Sequence, residues 1–163
     1  SEQLVDPSLP QDVREALGRS ALPAEALTLE ITEETVVGDI EGARSHLRAI
    51  RELGVRIAID DFGTGYSSLS YLRNLPVDVL KVDRSFVADH TSEHATELLA
   101  GVLALGRALD LETVAEGIET SAQLDRLKAL GCTSGQGYYF ARPMWPDTIK
   151  AALGDPAGEP LGR

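Results

Sequence analysis

At 163 residues the chain has the size of one domain, and its 43% apolar content can form a core yet contains no run long enough to span a bilayer. A formal charge of −11 without a Lys/Arg cluster argues against long nucleic acid as a partner, although a bound divalent cation would still admit a small phosphorylated ligand. The single Cys132 excludes an intramolecular disulfide and a cysteine zinc site, residues 1–17 lack the apolar core of a signal peptide, and the expected location is the cytoplasm.

Residues 10–17 read as an opening helix. Apolar runs at 27–31, 55–59, 77–82 and 111–115, with a weaker one at 138–140, read as strands. Helical patterns fill the gaps. Leu47, Ile50 and Leu53 mark one face of a helix stopped by Gly54, and Leu69 and Leu72 mark a shorter helix closed by Asn74-Leu75-Pro76. Leu98, Leu99, Val102, Leu103, Leu105 and Leu109 give a longer, more buried helix. Thr120-x-x-Gln123 is a capping box, followed by Leu124, Leu127 and Leu130 up to Gly131. Residues 154–163 form a polar Gly/Pro-containing tail expected to fray, so the predicted domain is 1–153.

Alternation of strand and helix calls for a parallel sheet with right-handed crossovers, either doubly wound or a (β/α) barrel. Residues at the predicted C-terminal strand ends favour the barrel. They are Glu30, then Asp60 and Asp61, then Lys81 and Asp83, then Glu116, and ionisable groups from several strands meeting on one face mark a barrel active site. A doubly wound sheet would gather its site at one switch point, usually after a glycine-rich first turn, and no such turn is present. A complete barrel takes about 250 residues. This sequence supplies some five to six of its strands and reads as an N-terminally truncated barrel.

The adjacent aspartates at the end of Val55-Arg56-Ile57-Ala58-Ile59 carry the most information, because neighbouring carboxylates repel unless a cation or an exposed site holds them. Carboxylate oxygens suit Mg²⁺ and Mn²⁺, used in pairs by enzymes that cleave phosphodiesters. Lys81 could meet a phosphate oxygen or an attacking water, and Glu116 could act as a general base. Taken singly these residues have plainer readings: Glu30 as a solvated rim residue, Lys81 with Asp83 as a surface ion pair, Asp61-Phe62-Gly63 as a turn. Glu119 could serve the site or favour the next helix N-terminus. His46, His90 and His94 read as solvated. Asp-Phe-Gly also occurs in protein kinases, but no glycine-rich loop, strand lysine or His-Arg-Asp loop precedes it.

Five ordered blocks resemble the EAL domain, the cyclic di-GMP phosphodiesterase of bacterial signalling. They are 27–33, Ile59 through Ser68 (Ile-Asp-Asp-Phe-Gly-Thr-Gly-Tyr-Ser-Ser), Leu80-Lys81-Val82-Asp83, Val114 through Thr120, and 131–143 with Gln136-Gly137-Tyr138-Tyr139-Phe140 and Arg142-Pro143. The resemblance implies a (β/α)8 TIM-like barrel, a two-metal Mg²⁺ or Mn²⁺ site, and hydrolysis of cyclic di-GMP to linear pGpG. It makes Glu30, Asp60 and Asp61 metal ligands, Lys81 a group holding metal-bound water or phosphate, and Glu116 the base. Glu33, Asp83, Glu119 and Gln136 become supporting or substrate-binding residues. It further implies a homodimer through the 61–68 loop and adjoining helix, and a sensor or GGDEF domain upstream.

The Glu-Ala-Leu motif and an asparagine ligand that the family places ahead of Ser1 do not occur in this sequence. An incomplete barrel exposes strand edges, so the chain is expected to be marginal, to self-associate, or to belong to a longer protein. Two alternatives accompany the phosphodiesterase reading: a catalytically impaired module that binds cyclic di-GMP or a protein partner, and a metal-dependent hydrolase of another phosphate ester.

Overall fold

A computed structural model of the chain describes residues 3–4, 6–32, 40–63, 72–88 and 92–153. Its centre is a parallel sheet of β1 (Thr28–Thr32), β2 (Arg56–Phe62), β3 (Val79–Val82), β4 (Glu112–Ala115) and β5 (Ser134–Gly135), in sequential order from edge to edge. A doubly wound sheet reverses its strand order at a switch point. This sheet does not, so it forms a continuous stretch of barrel wall, and the domain is an α/β partial barrel.

Among the described residues the helices are α1 (Leu9–Ser20), α2 (Ile40–Glu52), α3 (Arg84–Ala88), α4 (Glu93–Ala108), α5 (Ser121–Ala129) and α6 (Pro146–Leu153), with a 3₁₀ turn at Ala24–Ala26. Their boundaries follow local chemistry. Pro10 opens α1, where its fixed φ and lack of an N–H cost nothing. The Ser92 hydroxyl accepts the Ala95 N–H at the start of α4. Thr120 and Gln123 cap α5 reciprocally, as the sequence pattern requires.

Strand register sorts the side chains into two faces. The pairs Glu30↔Ala58, Ala58↔Val79, Val79↔Glu112, Lys81↔Val114 and Val114↔Ser134 place Glu30, Ala58, Asp60, Val79, Lys81, Glu112, Val114 and Ser134 on one side. The opposite side is apolar. There Ile57, Ile59 and Leu80 pack with Ala43 and Leu47 of α2, while Val82 and Ala115 pack with Val87, Leu99, Leu103 and Leu127 of α3, α4 and α5. Burying each such Val, Leu or Ile side chain contributes roughly 1.5–3 kcal/mol. The helices thus cover one face and leave the other for polar side chains.

That polar face is layered. At the N-terminal end Arg56 pairs with Glu112 across β3, and Ser134 Oγ donates to Glu112 Oε1 at 2.8 Å. The Arg56 guanidinium and the Ser134 hydroxyl, working against burial, hold the Glu112 carboxyl below its ordinary range. Small residues, Ala58, Val79 and Val114, fill the middle. The remaining polar residues cluster at the C-terminal end.

Some sequence expectations change. The fifth strand is Ser134–Gly135, whereas residues 138–140 form a turn in which the Tyr139 and Phe140 rings meet edge to face, with centroids 5.5 Å apart. Two small residues carry no apolar signal; pairing of 134–135 with Val114 and Ala115 makes the strand. His46 is half-buried rather than solvated, its Nδ1 2.9 Å from the Leu4 carbonyl, while His94 is exposed as expected. Leu98 is exposed on α4, although Leu99 and Leu103 are fully buried. Cys132 is half-buried, with Sγ 3.2 Å from the Ser134 carbonyl. His90, most of the 69–72 helix and the 154–163 tail lie outside the described residues. Among those described, no helix is long and apolar enough to cross a membrane.

Candidate functional site

All four residues of β3 are buried, and register places Lys81 on the polar face. A buried ammonium is tolerated only when paired. Lys81 Nζ lies 2.8 Å from Glu30 Oε1, 2.7 Å from Asp60 Oδ1 and 2.6 Å from Glu116 Oε1, so its three donors meet carboxylates from β1, β2 and the end of β4. Burial opposes the charge, but Asp60, Glu116 and Glu30 outweigh it and hold the Lys81 pKa above its ordinary value. Lys81 and Asp83 therefore do not form the surface pair that the sequence allowed.

Asp60 and Asp61 need a backbone irregularity to act together, since consecutive strand residues point to opposite faces. The β2–β3 register slips between Ile59 and Phe62, and Asp61 adopts a left-handed φ of 53°. This is a β-bulge. It brings a carboxylate oxygen from each of Asp60, Asp61 and Glu116 within 4.8 Å of one another.

Glu116 is held from the neighbouring segment. Gln136 Nε2 donates to Glu116 Oε1 at 2.9 Å, and Gln136 N donates to the Ala115 carbonyl at 2.9 Å. Ile118 is stitched to the segment on either side of Gly137 as well: Ile118 N donates to Gln136 O at 3.1 Å and Tyr139 N to Ile118 O at 2.9 Å. A Cβ on Gly137 would fall 2.1 Å from Ile118 O, so only glycine permits this close approach. A cavity of about 450 Å³ opens beside Glu116 and Gln136, walled by Arg84, Glu119, Tyr138 and Arg142. The Arg142 guanidinium lies over the Tyr138 ring, 4.9 Å from its centroid.

The other residues singled out in the sequence fall at varying distances from this centre. Asp83 Oδ1 accepts the Ser85 N–H at 3.0 Å, capping the start of α3; burial works against ionisation there, yet the Ser85 hydrogen bonds hold its pKa below the ordinary range. Glu119 is exposed on the cavity wall, and its backbone N–H donates to Gln123 Oε1 at 2.8 Å. Glu33 and residues 64–68 lie outside the described residues. Sequence reasoning overlooked α3, whose side chains border both the β2 and β4 ends. Asp83-x-Ser85, a common side-chain-to-backbone turn pattern, was the available signal.

The donor set suits a hard divalent cation. Glu30, Asp60, Asp61 and Glu116 offer oxygen ligands around the Lys81 ammonium, and the three that converge within 4.8 Å are all carboxylates. Carboxylates gathered on one rim favour binding of a cation.

Residues 1–143 match the family described as the EAL domain. The chain belongs to the EAL domain family. Relatives of this EAL domain include the cyclic di-GMP phosphodiesterase NbdA of Pseudomonas aeruginosa, 48% identical over 84% of this chain and 18% of that protein. A second is the bifunctional diguanylate cyclase/cyclic di-GMP phosphodiesterase MucR of the same organism, 44% identical over 93% of this chain and 22% of that protein. This chain thus spans about a fifth of the length of these curated relatives. Among solved structures, the cyclic di-GMP complex of the PaMucR phosphodiesterase superimposes with a TM-score of 0.85 at 42% identity, over 90% of this chain and 60% of that one. The EAL domain of Mycobacterium smegmatis DcpA gives 0.88 at 41% identity, over 93% and 68%. Both likenesses agree with the barrel wall described above.

Proposed function

We propose that this EAL domain hydrolyses cyclic di-GMP to linear pGpG with Mg²⁺ or Mn²⁺ at a two-metal site. The observation that carries the reading is the Lys81 ammonium, bonded to Glu30, Asp60 and Glu116 beside the bulged Asp61. Named phosphodiesterase relatives and the cyclic di-GMP complex of PaMucR support the substrate.

Glu30, Asp60 and Asp61 would hold the cations, which when bound polarise phosphoryl oxygens and acidify water. In the reaction, water adds to one phosphorus, the P–O3′ bond breaks, and the leaving oxygen gains a proton. Glu116 would accept the proton of the attacking water, with Gln136 fixing the direction of its carboxylate. Lys81 supplies a point charge for a non-bridging phosphate oxygen. Arg84 and Arg142, on the cavity wall, extend positive charge toward the second phosphate. Asp83 and Glu119 act in support, Asp83 through the α3 backbone and Glu119 through the loop after β4. Glu33, a homodimer through the 61–68 loop, and an upstream sensor or GGDEF domain complete the proposal, in keeping with relatives much longer than this chain.

The deciding experiment incubates the full-length protein with cyclic di-GMP and Mn²⁺ and follows pGpG by chromatography. Linearisation that disappears with chelator and with Asp61→Asn is the expected result. Binding of cyclic di-GMP with normal Mn²⁺ affinity but no turnover would replace the reading with a non-catalytic binding module.

A further inference from the structure

Helix α3 touches the turns that follow both groups of site carboxylates. Gly63 comes directly after Asp60-Asp61-Phe62, and a Cβ placed on it would fall 2.5 Å from Cε2 and Cζ of the Phe86 ring. Gly117 follows Glu116, and a Cβ there would fall 2.6 Å from Arg84 Cβ. The helix is itself tied to the scaffold. Phe86 N donates to Asp83 O at 3.1 Å, and Arg126 Nη2 on α5 donates to the carbonyls of Phe86 and Val87 at 3.2 and 3.0 Å.

Asp61 sits in the left-handed region, which a side chain with a Cβ occupies at a cost. Such a conformation persists where its surroundings over-determine it. Relaxing Asp61 to extended backbone would return its carboxylate to the face opposite Asp60. It would also swing the Gly63 turn, against which the half-buried Phe86 ring is wedged.

We propose that Phe86 is a positioning residue for the paired aspartates: its ring, braced by α5, locks the Gly63 turn and so keeps the Asp61 carboxylate on the Asp60 side. The proposal rests on reading Asp60 and Asp61 as cation ligands, and it assigns α3 the task of holding that ligand pair in shape.

The test compares Phe86→Ala, Phe86→Met and Val87→Ala in the full-length protein. Val87 is the fully buried neighbour on α3 and serves as the control for core damage. Mn²⁺ titration should show affinity reduced roughly tenfold or more in Phe86→Ala and largely recovered in Phe86→Met, whose long apolar side chain still reaches the turn. Val87→Ala should lower the melting temperature yet bind Mn²⁺ like the wild type. Amide hydrogen exchange, measured without metal, should quicken at residues 61–63 in Phe86→Ala while β4 stays protected. Wild-type affinity and exchange in Phe86→Ala, or an equal loss of Mn²⁺ affinity in Val87→Ala, would overturn the proposal. A wild type that binds no Mn²⁺ would sink the cation-site reading alone, with the exchange data still deciding whether Phe86 clamps the turn.

Discussion

Lys81 Nζ lies 2.6 Å from Glu116 Oε1, the same oxygen that accepts Gln136 Nε2 at 2.9 Å. One carboxylate oxygen therefore holds an ammonium from β3 and an amide from just beyond β5, which fixes the Glu116 side chain from two sides. Charge balance around Lys81 is therefore expected to affect stability and cation affinity together.

Lys81→Met keeps the shape of the stem and removes the charge, leaving Glu30, Asp60 and Glu116 to repel one another. Breaking a fully buried pair costs about 3–5 kcal/mol. The Glu30 side chain is 49% exposed, so part of the repulsion is relieved by solvent. The expected loss is about 2 kcal/mol in chelator, measured by urea unfolding. Mn²⁺ should stabilise the variant more than the wild type, because a divalent cation supplies the lost counter-charge. Equal Mn²⁺ effects would mean that the ammonium and the cation answer to different carboxylates.

The same lysine sets an alkaline limit. Its folded pKa is raised above the ordinary 10.5, so the folded state holds the proton more tightly than the unfolded chain. That contribution is complete below 10.5 and is lost as the pH climbs through the folded value. Unfolding free energies measured on either side of pH 10.5 should fall more steeply for the wild type than for Lys81→Met. Parallel slopes would show that Lys81 gains nothing from its three partners.

Asp61 separates charge from backbone conformation. Asn tolerates the left-handed region about as well as Asp does, so Asp61→Asn should unfold at nearly the wild-type urea concentration and lose Mn²⁺ affinity at least ~10-fold. Asp61→Ala should lose the affinity and also about 1–2 kcal/mol of stability, because Ala cannot hydrogen-bond locally to offset its left-handed φ. Equal stability of the two variants would argue that the bulge stores no strain.

Much of this arrangement was legible in the residues. β2 and β3 stand out as apolar runs because their outer faces meet helices, and the capping box of α5 is written in Thr120 and Gln123. Glu30, Asp60, Lys81 and Glu116 could be grouped because strand ends in a sequential parallel sheet share one rim. The bulge could not be read, since strand alternation alone sends Asp61 away from Asp60 and the reversal depends on register with β3. β5 escaped because two small residues become a strand only through pairing with β4. The five-residue α3 is too short for a helical period to show, and its role depends on Gly63 and Gly117, distant in sequence and close in space.

Gln123 shows how a capping residue supports the loop that follows Glu116. Its side-chain oxygen accepts the N–H groups of Glu119 and Thr120 at 2.8 and 2.9 Å, and its Nε2 donates to the Val87 carbonyl at 3.4 Å. Gln123→Leu preserves size but orphans both N–H groups, so a loss of about 2 kcal/mol is expected in urea unfolding. The Val87 carbonyl keeps a donor through Arg126 Nη2 at 3.0 Å, so the penalty comes from the loop and not from α3. Gln123→Glu retains an acceptor for both N–H groups and places negative charge at a helix N-terminus, where it is favoured. Its stability should therefore exceed that of Gln123→Leu, while burial of the carboxylate and loss of the donor to Val87 keep it below the wild type. If Glu were as damaging as Leu, the donor to Val87 rather than the two loop hydrogen bonds would be the interaction that matters.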